Sequence, residues 1–146
     1  MAFDQLKNMR TLVDLARQRA DGTARRSAYV FLTDGDSETS EISYGELDRR
    51  ARAIAAWLQS LGAQGKRAIL LYPPGLDYIS AFFGCLYAEV IAVPAYPPQR
   101  KRTLGRLQAV LADSGAEFAL TTAKVHAGVD RLHQPSGGPG LADMGE

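Results

Sequence analysis

The stretch that decides the fold runs from residue 67 to residue 94 and reads RAILLYPPGLDYISAFFGCLYAEVIAVP. Its two short apolar runs, 68–71 and 90–93, lack the polar–apolar alternation of half-exposed strands, which is typical of strands covered on both faces. Between them, residues 76–88 return as a second, mostly apolar helix. A strand, a helix of about a dozen residues and another strand predict a parallel pair with a right-handed crossover.

The same pattern continues toward the C-terminus. Apolar residues at helical spacing predict an amphipathic helix after the prolines at 97 and 98 (Leu104, Leu107, Val110 and Leu111). Residues 117–121 supply a third strand, and the basic run 100–102 is interpreted as the solvated start of the helix. The fold class is therefore predicted as α/β, with a partial parallel sheet and flanking helices.

The residues before this sheet predict a helix and a hairpin. Thr11 marks the start of the helix as an N-cap, with Asp14 three residues later, and the helix ends near Gly22. Two extended runs, 28–33 and 39–42, are separated by an Asp-Gly turn. This arrangement predicts an N-terminal antiparallel β-hairpin.

A further helix follows the hairpin. Ser43 is expected to cap it, and the Glu46 carboxylate is expected to accept a hydrogen bond from the cap amide, which completes a capping box. One apolar stripe runs along this helix (Leu47, Ala51, Ile54, Leu58 and Leu61), and Gly62 closes it. Three arginines fall off the stripe and are interpreted as its solvated side (Arg49, Arg50 and Arg52).

Composition narrows the classes of function. The 146 residues suit one domain, and 17 Lys and Arg against 16 Asp and Glu give a net charge of +1. Such a balance offers no electrostatic case for binding nucleic acid or an acidic membrane. The first residues do not resemble a signal peptide, and no apolar run approaches the ~20 residues of a membrane span. A cytoplasmic location is expected.

Few residues have the chemistry of a site. The single cysteine, Cys85, lies in an apolar stretch, which favours a buried inert thiol over a nucleophile. His126 and His133 lack cysteines or paired carboxylates at ligand spacing, so a metal site is not expected. The turn at 72–75 leads from a strand to a helix N-terminus, where anions can bind. Because its two prolines lack amide donors, a structural role is preferred.

Several motifs, taken together, resemble the adenylate-forming ligases. Residues 42–47, ISYGEL, are similar to the first core motif of adenylation domains, L-S/T-Y-x-E-L. Residues 86–94, LYAEVIAVP, are similar to the second, L-x-A-G-x-x-x-V-P, with Glu89 in place of the glycine. Residues 72–85, together with the Ala-Tyr-Pro-Pro continuation from residue 95, are similar to the fatty acyl-AMP ligase branch. The resemblance extends from about residue 11 to residue 124.

The resemblance implies a reaction in which ATP and a fatty acid, with magnesium, form acyl-adenylate and pyrophosphate. The acyl group then passes to an acyl carrier protein in lipid or polyketide and peptide biosynthesis. The family's phosphate loop, nucleotide-contacting motifs, magnesium-binding glutamate and catalytic lysine match no position here. No catalytic, cofactor-binding or metal residue is therefore assigned, and the chain alone is expected to be inactive.

Three interpretations stay open. The chain is a truncated ligase, a subunit of a split ligase that docks with a separately encoded remainder, or a non-catalytic module that binds an acyl chain or a nucleotide. Residues 1–125 are expected to form the N-terminal part of an AMP-binding ligase domain. Residues 126–146 are expected to form a divergent Gly/Pro-rich tail that loses periodicity from His126 and is disordered from about residue 134.

Overall fold

A computed structural model describes residues 9–37, 39–99 and 101–133. They form the helices and strands α1 Leu12–Thr23, β1 Ser27–Leu32, β2 Thr39–Ser43, α2 Tyr44–Ser60, β3 Arg67–Leu71, α3 Leu76–Tyr87, β4 Ile91–Ala95, α4 Lys101–Ser114, β5 Phe118–Thr121 and α5 Ala123–His133. The predicted α/β fold class is confirmed, because β3, β4 and β5 form a parallel sheet and β1 pairs antiparallel with β2.

The parallel sheet has the strand order β4-β3-β5, so β3 is its centre. Ala68 and Leu70 pack into a core with side chains of α2 and α3. Ile69 and Leu71 pack on the opposite face, against side chains of α4 and α5. Both faces of β3 are thus covered, which explains why its sequence is apolar without alternation.

Strand β4 is longer than predicted. The apolar run that predicts this strand ends at residue 93, immediately before Pro94, but Pro94 pairs with Leu70 and the strand continues to Ala95. The Ile91 amide donates to the Lys66 carbonyl at 2.8 Å, so the amides of alternate residues in β4 are directed toward β3. The nitrogen of Pro94 therefore faces the outer edge of the sheet, where the missing N–H costs no ladder hydrogen bond.

Helices α2 and α3 make the closest contact between helices in the core on the first sheet face. Gly84 of α3 lies against Ile54 of α2, and a Cβ on Gly84 would stand 2.5 Å from the Ile54 Cγ2 atom. The predicted stripe of α2 is correct at Leu58 but wrong at Leu61, which is 46% exposed. Helix α2 ends at Ser60, and the chain turns at Gly62, where φ is 66°. Leu61 therefore does not continue the packed face of the helix.

The two predicted capping boxes differ in outcome. At α1, Thr11 and Asp14 exchange both hydrogen bonds, which confirms the prediction. At α2, Ser43 Oγ accepts from the Glu46 amide at 3.2 Å, but the Glu46 carboxylate accepts from Arg49 and Arg50 instead of from the cap amide. The guanidinium groups offer the carboxylate a full positive charge as well as N–H donors, whereas the cap amide is neutral, which accounts for this preference.

Helix α3 ends in a Schellman motif that contains no glycine. The Val90 amide donates to the Cys85 carbonyl at 2.9 Å, and the Glu89 amide donates to the Leu86 carbonyl at 3.2 Å. This geometry holds Glu89 at φ 58°, which makes it the non-glycine residue with positive φ among the described residues. Glycine adopts the left-handed conformation readily, and glycine is the residue that the resemblance described above places at this position.

The C-terminal segment differs from the prediction. The sequence suggests that helical periodicity is lost from His126, but residues 126–133 continue helix α5. Val125 packs against Ile69, Leu71 and Leu107, so the start of this helix has a place in the core on the second sheet face. The expected disorder from about residue 134 concerns residues outside the described part of the chain.

Candidate functional site

The connections of the sheet create a crevice at its carboxyl edge. Strand β3 leads into α3 on one face, whereas β4 leads into α4 on the other. In open α/β sheets, ligands bind where neighbouring strands send their connections to opposite faces. The carboxyl ends of β3 and β4 are therefore the first place to look for a site.

A cleft lies at this point. The carboxyl-edge cleft has a volume of ≈ 290 Å³ and is lined by Tyr72, Pro73, Pro74, Tyr78, Pro94, Ala95 and Tyr96. The Tyr78 ring stacks on Phe82 with 6.3 Å between ring centroids, which supports one wall. Tyr96 is 83% exposed and stands at the opening. Because prolines and aromatic rings dominate the lining, the cleft suits an apolar ligand better than a charged one.

The wall formed by residues 72–75 is fixed by its backbone. Gly75 has φ 155°, a conformation that L-residues rarely adopt, and it precedes the first residue of α3. Neither proline supplies an amide donor, and Gly75 makes no side-chain cap. The sequence-based preference for a structural role stays a prediction, but the turn also forms part of the cleft, which the sequence analysis does not anticipate.

A second cleft, the polar cleft, adjoins the first at Tyr72. It measures ≈ 350 Å³ and is lined by Arg49, Arg50, Ala53, Ile54, Tyr72, Asp77, Ser80, Thr121 and Thr122. Both arginines are paired with the Glu46 carboxylate at 2.7–2.8 Å. Hydrogen bonds from Arg49 and then Arg50 lower the pKa of Glu46 to about 2. Arg50 Nη1 also lies 3.8 Å from Asp77 Oδ1, so two carboxylates balance the two guanidinium groups.

Tyr72 belongs to both clefts. Burial, and secondarily the negative charge of Asp77, raise the pKa of Tyr72 to about 12. The phenol is protonated at neutral pH, as an ordinary tyrosine is, and the raised pKa keeps it so to higher pH; it can both donate and accept a hydrogen bond.

The other sequence candidates lie elsewhere. Cys85 is fully buried, as predicted, and burial raises the pKa of its thiol to about 11; the inertness of this thiol stays a prediction. His126 Nδ1 lies 3.0 Å from Asp130 on the same helix. Lys66 pairs with Glu117 at 2.9 Å next to the amino ends of β3 and β5, opposite the clefts. Arg100 and the side chains of 101 and 102 fall outside the described residues.

The described ranges contain neither a cluster of metal-ligating side chains nor a membrane-spanning helix. Across residues 9–37, 39–99 and 101–133, no three His, Cys, Asp or Glu side chains gather as a metal site would require. In the same ranges, every helix is too short or too polar to cross a membrane.

Comparison with known proteins identifies the family to which this sequence and fold belong. The family described as AMP-binding enzyme matches residues 16–140. The medium-chain-fatty-acid–acyl-carrier-protein ligase JamA of Moorena producens is 51% identical over 114 residues, covering 76% of this chain and 19% of JamA. A long-chain-fatty-acid–AMP ligase of Mycolicibacterium smegmatis is 40% identical over 117 residues, covering 80% of this chain and 18% of that protein. The chain thus spans about a fifth of the length of these relatives.

Solved structures give the same result. A fatty acyl-adenylate ligase from Legionella pneumophila, crystallised with acyl adenylate and pyrophosphate, superposes with a TM-score of 0.79 at 38% identity, covering 86% of this chain and 22% of that one. A fatty acid AMP ligase structure from L. pneumophila gives a TM-score of 0.77 at 39% identity, covering 84% and 21%. This chain therefore belongs to the AMP-binding enzyme family of adenylate-forming ligases, and its relatives are fatty acyl-AMP ligases.

Proposed function

We propose that this chain forms the N-terminal part of a ligase that uses ATP to convert a fatty acid to acyl-adenylate, and that it does not catalyse this reaction alone. The observation that carries the proposal is its similarity to the L. pneumophila ligase whose structure contains acyl adenylate and pyrophosphate. The acyl group of the product then passes to an acyl carrier protein, as the name of JamA, an acyl-carrier-protein ligase, indicates for that relative.

The carboxyl-edge cleft supports a role near the acyl group. A hydrocarbon chain gains free energy when apolar surface is removed from water, and the cleft offers the rings of Tyr72, Tyr78 and Tyr96 for this contact. A triphosphate would find two prolines without amide donors at the same place. We therefore assign the cleft to the acyl side of the reaction.

The charge that adenylate formation requires is proposed to come from residues outside this chain. Displacement at a phosphate needs positioned cations and backbone donors. Lys66 is paired with Glu117, Arg49 and Arg50 are paired with Glu46, and the part of the chain in view has no set of metal ligands. We assign no magnesium or ATP ligand to this chain and propose that both bind residues supplied by the rest of a ligase.

Exchange of labelled pyrophosphate into ATP, dependent on a fatty acid, tests the proposal. The purified chain is expected to give no exchange above a heat-killed control. Adding the portion of JamA that lies C-terminal to its matched region is expected to restore exchange. Exchange by the chain alone, in a preparation shown to be free of a full-length ligase, would overturn the proposal.

The second candidate is a split ligase, in which this chain and a separately encoded remainder associate. Among the described residues no further strand pairs with the outer edges of this sheet, and an open edge offers backbone groups to another polypeptide, which favours this candidate.

A further inference from the structure

A further cavity, the α1 groove, lies beside helix α1 and the β1–β2 hairpin. It has a volume of ≈ 260 Å³ and is lined by residues of α1, β1, α2 and α3. None of its described lining residues belongs to the carboxyl-edge cleft or to the polar cleft. The groove is therefore a separate cavity, and the proposed function does not use it.

Apolar side chains from three helices form most of the groove (Leu12, Leu15, Leu47 and Phe83). Leu47 and Phe83 are buried in the core on the first sheet face. The Phe83 ring also contacts the Tyr29 ring of β1, with 6.4 Å between ring centroids. Leu12 is 54% exposed, so the groove is open to solvent along α1. A cavity with a packed base and an open side is preformed for an apolar ligand.

Arg19 is the charged residue among those that line the groove. It follows Leu12 by seven positions and Leu15 by four, so the three side chains share one face of α1. In the part of the chain that the structure describes, no carboxylate lies within ion-pair distance of Arg19. Arg17, by contrast, lies over the Tyr87 ring at 4.9 Å. Arg19 therefore presents a guanidinium group beside an apolar surface, where it can bind an anion from solution.

We propose that the α1 groove is a second binding site for a fatty acid, in which Arg19 pairs with the carboxylate and the hydrocarbon tail contacts Leu12 and Phe83. One positive charge matches a ligand with one negative charge, whereas a nucleoside triphosphate carries several. An uncharged lipid would leave the guanidinium group without an anion. Each methylene group that the groove removes from water tightens binding by up to about fourfold. The inference goes beyond the proposed function, because this fatty acid is not the one at the carboxyl-edge cleft.

Methyl NMR spectra of the whole chain test the site directly. The probe is decanoate, a medium-chain fatty acid, added below its critical micelle concentration. Decanoate is expected to shift the methyl signals of Leu12, Leu15 and Leu47, which line the groove. The methyl signal of Ala95 reports separately on the carboxyl-edge cleft.

A first pair of variants tests the charge. Arg19→Gln is expected to weaken decanoate binding about threefold to fivefold, since an exposed ion pair is lost. It should leave the affinity for decanol unchanged, because decanol has the same tail but no charge. Arg25→Gln is the matched control: Arg25 is exposed and does not line the groove, so neither affinity should change. Circular dichroism confirms that each variant is folded.

A second pair tests the apolar wall. Leu12→Glu places a carboxylate on this wall and is expected to weaken decanoate binding on the order of tenfold. A glutamate in the first turn of α1 interacts favourably with the helix dipole, so the variant should fold. Val30→Glu is the matched control, because Val30 is 55% exposed and lies outside the groove lining. It should bind decanoate as the wild type does.

Four results would overturn the inference. Decanoate that shifts Ala95 but none of the three leucines would leave the carboxyl-edge cleft as the acyl site and the proposed function standing. Equal weakening by Leu12→Glu and Val30→Glu would indicate nonspecific adsorption. Unchanged decanoate binding by Arg19→Gln, or equal weakening of decanoate and decanol, would show that Arg19 does not pair with the carboxylate. Failure of the proposed function is detected separately, by the pyrophosphate exchange assay.

Discussion

Replacing Glu89 with glycine should stabilise the protein. Glu89 is held at φ 58° by the two hydrogen bonds of the Schellman motif, and its carbonyl also accepts from the Gly65 amide at 2.9 Å. All these bonds use the backbone, so glycine can make them equally well. The side chain contributes one contact, an exposed hydrogen bond from Gln64 Nε2 to Glu89 Oε2 at 2.8 Å.

The magnitude follows from opposing effects. An L-residue in the left-handed conformation costs about 1–2 kcal/mol because its Cβ crowds the following carbonyl oxygen. Glycine forfeits about 0.4–1 kcal/mol of this gain, since it adds conformational freedom to the unfolded chain. The exposed bond to Gln64 contributes a few tenths of a kcal/mol at most. The net expectation is a stabilisation of about 0.5–1 kcal/mol, or a rise in Tm of roughly 2–5 °C.

Urea titration and thermal melting, both followed by circular dichroism, measure this change. Glu89→Ala is the matched control, because it removes the bond to Gln64 but keeps the Cβ in its strained position. It should be no more stable than the wild type. Gln64→Ala isolates the side-chain bond. If Glu89→Gly melts at the same temperature as the wild type or below it, the strain is negligible and the reasoning is refuted.

Three further predictions concern packing, charge and association. Gly84→Ala should lower the free energy of unfolding, measured by urea titration, by about 1–3 kcal/mol, because the added Cβ would overlap Ile54. The double variant with Ile54→Ala should recover part of this loss. Arg49 and Arg50 lower the pKa of Glu46 from 4.5 to about 2, so the stabilisation from these ion pairs is present above pH 4.5 and is lost as the pH falls toward 2. In a plot of the free energy of unfolding against pH, Glu46→Gln should therefore reduce the fall between pH 4.5 and pH 2. An unchanged fall would contradict the role of Glu46. The chain should be marginally stable or should self-associate through the sheet edges that no described strand covers. A monomer by light scattering at high concentration, together with a cooperative thermal melt above about 65 °C, would contradict this prediction.

The elements that could be predicted from the sequence are those with local causes. The cap at Thr11 depends on two residues three positions apart. The unbroken apolar run 68–71 indicates that strand β3 is covered on both faces. The left-handed position of Glu89 was accessible through the motif in which it replaces a glycine.

Errors arose where the outcome depends on the assembled fold. A proline such as Pro94 would break a central strand but is tolerated in an edge strand. Only the strand order shows that β4 is an edge strand. Glu46 has three competing donors, and only the positions of Arg49 and Arg50 decide among them. The carboxyl-edge cleft was missed because Tyr72 and Tyr96 each follow a separate strand, and a crossover brings the two strand ends together.

The Tyr72 ring has a consequence for how the two clefts operate. It forms part of the wall between a compartment lined by prolines and rings and a compartment lined by charged and hydroxyl groups. A ligand that displaces this ring would enlarge one cleft and reduce the volume of the other. Two guests would then be thermodynamically linked through one side chain, and each would alter the affinity of the other by the same factor.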